Sequence, residues 1–195
     1  MYKLLLDSSD INLAVAIALD NKIIYRYFEY AWQRQSEYMI PEINNALNKC
    51  GITLKDIEQV VVGIGPGSYT GVRIPLTIAK TLNASNNVDV IAVSSLRMLG
   101  NIDEKYISLM NARSVRSYIG IYNKNEVVLN DTIVENKNLE ETIKAYLEEG
   151  YMLKGNLSYL GKEEKVDDTK TTTKATTTKK VETTTTTVTT TIKAE

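Results

Sequence analysis

Histidine is absent from all 195 residues. That removes the commonest general base near neutral pH, the commonest metal ligand, and the base of any Ser-His or Cys-His nucleophile pair. Triad hydrolases and metallohydrolases are thereby close to excluded, while carboxylate, Lys or Tyr chemistry stays open. Cysteine is almost absent too. Cys50 stands alone, so the chain closes no internal disulfide, which fits a reducing cytosol. No apolar run approaches the roughly 20 residues of a membrane span. The apolar start at Leu4-Leu5-Leu6 is too short for a signal peptide and reads as a strand. Neither sign of charge dominates: 23 Lys and Arg stand against 24 Asp and Glu. A protein that holds RNA by itself shows its phosphate footprint as clustered Lys and Arg, and no such cluster stands out. A cytoplasmic, soluble protein without membrane association is expected.

What is present divides into two materials. From Val166 onward the chain is nearly all Thr and Lys, with runs such as Thr183 to Thr187. Threonine favours strands, but nothing apolar alternates with it to make a buried face, so residues 166–195 are expected to be a disordered tail. About 160 residues remain, enough for one domain or two small lobes.

In that part, Lys3–Leu6 reads as a strand ending in Asp7-Ser8-Ser9-Asp10, and Asn12–Leu19 as a second, with Leu13, Val15, Ile17 and Leu19 on one face. Asp20-Asn21 tolerates φ > 0 and makes a two-residue hairpin turn into a third strand over Lys22–Glu29. A helix over Ser36–Asn48 follows, with Ser36 as its N-cap, Met39, Ile43, Ala46 and Leu47 as its inner stripe, and Gly51 stopping it. A strand at Ile57–Ile64, a glycine loop, a helix to about Ala84 and a strand at Val88–Val93 complete a first unit over 1–100. Strands at 106–110, 117–122, 126–133 and 151–153, with a helix at 139–148, make a smaller second unit over 101–165. The class is α/β with a mixed sheet.

The loop Gly63-Ile64-Gly65-Pro66-Gly67-Ser68-Tyr69-Thr70-Gly71-Val72-Arg73 is the most specific feature. Glycines crowd a loop where backbone takes φ > 0 or something approaches closely. The phosphate fingerprints fail. A Walker loop needs four residues between its glycines and a following Lys, and a dinucleotide loop needs Gly-x-Gly-x-x-Gly. A nucleophile elbow would need glycines where Pro66 and Thr70 stand. Three readings remain: a tight structural turn, an anion seat with help from Thr70 and Arg73, or a close approach by a partner's backbone. In the helix that follows, Val72, Ile74, Leu76, Ile78, Ala79 and Leu82 spread over roughly 200° at ~100° per residue. A helix covering only its own sheet needs about half that arc. The excess is buried by the first helix or by another chain. Pro75 lacks an N–H and disfavours a helical Ile74, so regular helix is expected to begin only near it.

Leu4-Leu5-Leu6-Asp7-Ser8-Ser9, Ser36-Glu37-Tyr38-Met39-Ile40-Pro41 and the whole glycine loop, continued by Ala79-Lys80-Thr81-Leu82 and Val93-Ser94-Ser95-Leu96, resemble the bacterial TsaB family in order and spacing. The likeness covers residues 1–100. Asn111-Ala112-Arg113 through Tyr118 and Tyr159-Leu160-Gly161-Lys162 echo it more weakly. The resemblance implies an actin/hexokinase/Hsp70-like (ASKHA, ribonuclease H-like) fold with a shortened second lobe. It also implies a non-catalytic role in making threonylcarbamoyladenosine at position 37 of tRNA. The implied partners are a TsaD-like transferase subunit of similar fold, met through the first two helices, and a TsaE-like ATPase, with tRNA held indirectly through the complex. No cofactor would be bound by this chain alone, with ATP and Mg²⁺ left to the complex. This sequence departs from the family where Gln35 replaces a frequent His, Pro75 a Gly, and Asn111 the usual Asp.

The expected partner surface is Met39, Ile43, Leu47, Val72, Leu76 and Ala79. A homodimer through the same helices is open to the free chain. The competing reading is an ATP-dependent phosphotransferase of the same fold, with Asp7 positioning Mg²⁺ and Gly65, Gly67, Thr70 and Arg73 on phosphate. Asp10-Ile11-Asn12, where actin-like ATPases carry glycine, speaks against it and for a capped turn. A peptidase would need a nucleophile–base pair or a metal site, and neither is found.

Overall fold

The computed structural model describes residues 1–160; the Thr/Lys-rich tail and the last two residues of the Tyr159–Lys162 echo lie outside them. The alternating start folds as an antiparallel meander of β1 (Tyr2–Asp7), β2 (Asn12–Leu19) and β3 (Lys22–Tyr30). The chain then crosses through α1 (Gln35–Cys50) to β4 (Ile57–Gly63), and through α2 (Tyr69–Asn86) to β5 (Asp89–Val93). β4 lies parallel to both β1 and β5, giving a five-stranded sheet in the order β3-β2-β1-β4-β5. A four-stranded sheet, β8-β7-β6-β9, follows. It is built from β6 (Lys105–Arg113), β7 (Arg116–Asn123), β8 (Glu126–Glu135) and β9 (Met152–Lys154), with α3 (Asn136–Glu148) against β7 and β8.

Leu4, Leu6, Leu13, Val15, Ile17, Val60 and Val62 turn one face of the first sheet onto α1 and α2 and form its core. The period-2 reading fails at one place. The β2–β3 register shifts between Ile17 and Ala18, so Ala18 goes inside and Leu19, expected there, is exposed. α1 begins one residue before Ser36. Gln33 takes φ 61° and turns the chain in, Arg34 sits at the N-cap position without a side-chain cap, and Gly51 closes the helix at φ 68°. The second sheet packs Ile107, Leu109, Ile119 and Ile121 against Leu139 and Ile143 of α3.

Candidate functional site

α2 begins at Tyr69, six residues before Pro75. Ser68 is its N-cap, its Oγ accepting the Gly71 N–H at 3.3 Å. Proline inside a helix leaves the carbonyl four residues back without its donor. That carbonyl is on Gly71, and the hydroxyl of the fully buried Ser8 donates to it at 2.7 Å. Pro75 is therefore accommodated by a residue of the β1–β2 turn, which is why the helix starts earlier than the proline suggests.

The same turn explains three of the glycines. A Cβ on Gly63 would stand 2.0 Å from Asp7 Oδ1, one on Gly67 2.3 Å from the Ser9 carbonyl oxygen, and one on Gly71 2.0 Å from that of Ser8. The Ser68 N–H donates to the Ser9 carbonyl at 2.6 Å. Only Gly65 needs its conformational freedom, at φ 96°; it donates to Ser95 Oγ at 3.1 Å and accepts from the Ser95 N–H at 2.8 Å. The close approach that the loop permits is made by residues 7–9 of the same chain.

Asp7 sits between these parts. Ser95 Oγ donates to its Oδ1 at 3.3 Å, and the Ser9 hydroxyl and N–H donate to its Oδ2 at 3.0 and 3.4 Å. Burial raises its pKa above the ordinary carboxylate value against the pull of those hydrogen bonds. Asp10 is shifted the same way by burial, and its carbonyl accepts from the side chain of Gln35 at 3.1 Å. The structure thus gathers Asp7, Gly65 and Gly67 at one point. Thr70 and Arg73 lie on the exposed first turns of α2, where the Arg73 guanidinium stacks 4.1 Å from the Tyr69 ring centre. The sequence reading missed Ser8, Ser9 and Ser95, all three buried. The signal was available for Ser8, because a proline in a helical pattern announces an orphan carbonyl. Among the described residues no group of three or more His, Cys, Asp or Glu is placed to hold a metal ion, and no helix is long and apolar enough to cross a membrane.

The expected partner surface divides. Met39, Ile43, Leu47 and Ala79 are sealed inside the chain's own first core, so they have nothing to offer a partner; the apolar stripe of each helix is used up on its own sheet. Val72 and Leu76 are half-buried and remain accessible. On α2 the wide apolar arc resolves into a buried centre, Pro75, Ala79 and Leu82, with half-covered flanks of Val72 with Leu76 and Ile74 with Ile78.

Residues 29–138, over half of the chain, match the family model described as TsaD: tRNA N6-adenosine threonylcarbamoyltransferase. The tRNA threonylcarbamoyladenosine biosynthesis protein TsaB of Bacillus subtilis (strain 168) is 36% identical over 126 residues, 63% of this chain and 55% of that protein. The protein of the same name from Buchnera aphidicola subsp. Schizaphis graminum is 27% identical over 155 residues, 70% of this chain and 74% of that one. The chain belongs to the TsaB family. In three dimensions it is similar to YeaZ from Pseudomonas aeruginosa, with a TM-score of 0.63 at 24% identity, covering 69% of this chain and 67% of the other. The fold of this TsaB-family chain is accordingly actin/hexokinase/Hsp70-like. It spans about half the length of the Bacillus relative.

Proposed function

We propose that this chain serves tRNA threonylcarbamoyladenosine biosynthesis as a non-catalytic subunit that pairs with a TsaD-like transferase, a TsaE-like ATPase joining the assembly. The observation that carries the reading is the glycine loop: it is closed by the chain's own Ser8 and Ser9, and the helix it launches presents Val72, Leu76 and, 71% exposed, Tyr69 beside a sheet it already covers. A loop filled in this way supports a packed scaffold, and the half-covered apolar flank supports a docking helix of the kind that buries against a partner.

The test is co-purification with a TsaD-like subunit, followed by a tRNA modification assay with and without this chain. Tyr69→Asp and Leu76→Asp should abolish pairing and modification while the thermal midpoint of the isolated chain stays within a few degrees. Pairing that survives both places the interface elsewhere. Magnesium-dependent nucleotide binding by the isolated chain, lost in Asp7→Ala, would replace this reading with a phosphotransferase.

A further inference from the structure

β6 and β7 are joined by a turn of unfavourable composition. The two-residue loop Ser114-Val115 lies between Arg113 and Arg116, the last pair of the ladder. Both loop residues take φ > 0, Ser114 at 50° and Val115 at 57°, and so does Arg113 before them at 61°. Such a loop is ordinarily Asn-Gly or Asp-Gly, because side chains resist the left-handed region and a β-branched one resists it most. The conformation is held from outside. Asn111 Oδ1 accepts the Arg113 N–H at 2.7 Å, and the Asn136 N–H at the start of α3 donates to the Val115 carbonyl at 2.9 Å.

The same turn concentrates unspent charge. The register sets Arg113 opposite Arg116, and Arg116 opposite Glu135. Like charges facing each other across a ladder destabilise it. Glu135 is already paired with Lys137 at 2.6 Å, so three cations share one carboxylate. Arg113, Ser114, Val115 and Arg116 are all exposed, and Arg113 makes no ion pair or side-chain hydrogen bond among the described residues. Asn111 supplies its acceptor as a neutral amide and adds no negative charge. Strained backbone persists only where the surrounding structure over-determines it, and it clusters at binding sites. Here it coincides with a repulsion that only an added anion would relieve.

We propose that this hairpin end, with Arg113, Ser114 and Arg116, is a phosphate-binding site that grips the backbone of a folded RNA. Guanidinium forks match phosphate oxygens in bidentate geometry. Residues facing across a ladder have Cβ atoms about 5 Å apart, so two such forks close on one phosphate or on neighbours along a strand. The Ser114 hydroxyl adds a donor. The repulsion between the arginines destabilises the free hairpin and is relieved by the bound anion. No basic run announces the site in the sequence, because its cations come from β6, β7 and the first turn of α3 and meet only through strand register. That RNA is the source of the phosphate rests on the threonylcarbamoyladenosine reading above; the phosphate chemistry does not.

The test is fluorescence anisotropy of labelled, unmodified tRNA with the full chain, started at low ionic strength and repeated across a salt series. Arg113→Gln combined with Arg116→Gln should weaken binding at least about fivefold and reduce the slope of log affinity against log salt by about 1–2. The thermal midpoint of that variant should hold or rise, because the like-charge pair is gone. Lys22→Gln combined with Arg26→Gln removes the same charge from an exposed strand elsewhere and should leave binding within about twofold of the parent. Absence of tRNA binding, an unchanged affinity in the Arg113/Arg116 variant, or equal weakening by both charge-matched pairs overturns the proposal. Displacement of the tRNA by millimolar inorganic phosphate would make the ligand a free phosphate, and displacement by polyglutamate would make it an acidic peptide; either overturns the assignment to RNA. No transferase subunit is present in the assay, so its failure and a failure of the pairing proposed above are read separately.

Discussion

At the scale of single residues, Gly71 of the glycine loop and Gly51 at the end of α1 show two different reasons for glycine. Gly71 is required by crowding, because its missing side chain leaves room for the Ser8 carbonyl. Gly51 is required by conformation alone, with φ 68° and nothing within 4 Å of an added Cβ. Gly51→Ala should therefore cost about 1 kcal/mol, the left-handed penalty. Gly71→Ala should cost about 3 kcal/mol or more, because the backbone itself must move. Urea denaturation of the two variants checks the difference, and equal losses would mean the loop yields. Asp7 carries a second expectation. Its folded pKa lies above the unfolded value of 3.8 because burial penalises the charged form. Between those two values the folded state binds more protons, so stability falls as pH rises through the window. Asp7→Asn should remove its share of that fall and leave the part due to Asp10, shifted in the same direction. Stability measured from pH 3 to 7 should thus be flatter in the variant, and an unchanged slope would show that Asp7 titrates as an ordinary carboxylate.

At the scale of elements, hydrophobic period and turn chemistry made most of this fold legible. Asp20-Asn21 marks the hairpin and Asp20 takes φ 54°. Met39, Ile43, Ala46 and Leu47 line the inside of α1 as their spacing says. What spacing could not decide is how much of an apolar arc is spent on the chain's own sheet: four of the six expected interface residues proved to be core. A period gives direction around a helix but not the width of the surface that covers it. Nor does it show long-range polar repair, and α2 is the case in point. Its proline is tolerated because Ser8, 63 residues away from Gly71, supplies the missing donor. Ser8→Ala should cost about 1–3 kcal/mol by leaving a buried carbonyl unpaired. In a Pro75→Ala background the new N–H takes over, and the same change should cost clearly less. The double-mutant cycle should give a coupling of at least about 0.5 kcal/mol, and strict additivity would dissociate Ser8 from the proline.

At the scale of the whole molecule, the question is what makes two sheets one body. The segment after β5 is held against the second sheet at several points. Ser94 Oγ donates to Asp131 Oδ2 at 2.5 Å, Ser108 Oγ to the Leu96 carbonyl at 2.7 Å, and Tyr106 OH to the Arg97 carbonyl at 2.9 Å. Tyr122 OH donates to Asp131 Oδ1 at 2.6 Å while its ring stacks on Tyr106 with centroids 4.9 Å apart. Burial first, and that hydrogen bond second, push the Tyr122 phenol pKa upward, so it stays protonated and donating. Asp131 is thus the shared acceptor for a residue of each sheet's side. Asp131→Ala orphans a buried phenol, whereas Tyr122→Phe removes donor and need together, so the first should lower the thermal midpoint more than the second. For a chain of this size about 1 kcal/mol corresponds to roughly 2–4 °C. Adding Tyr122→Phe to Asp131→Ala should recover part of the loss. If these contacts couple the sheets, the parent chain melts in one calorimetric transition, and Asp131→Ala combined with Ser108→Ala separates it into two. A parent that already melts in two steps would mean that each sheet is held by its own core, Leu4 to Val62 in one and Ile107 to Ile143 in the other, and that the hydrogen bonds around Asp131 only set the angle between them.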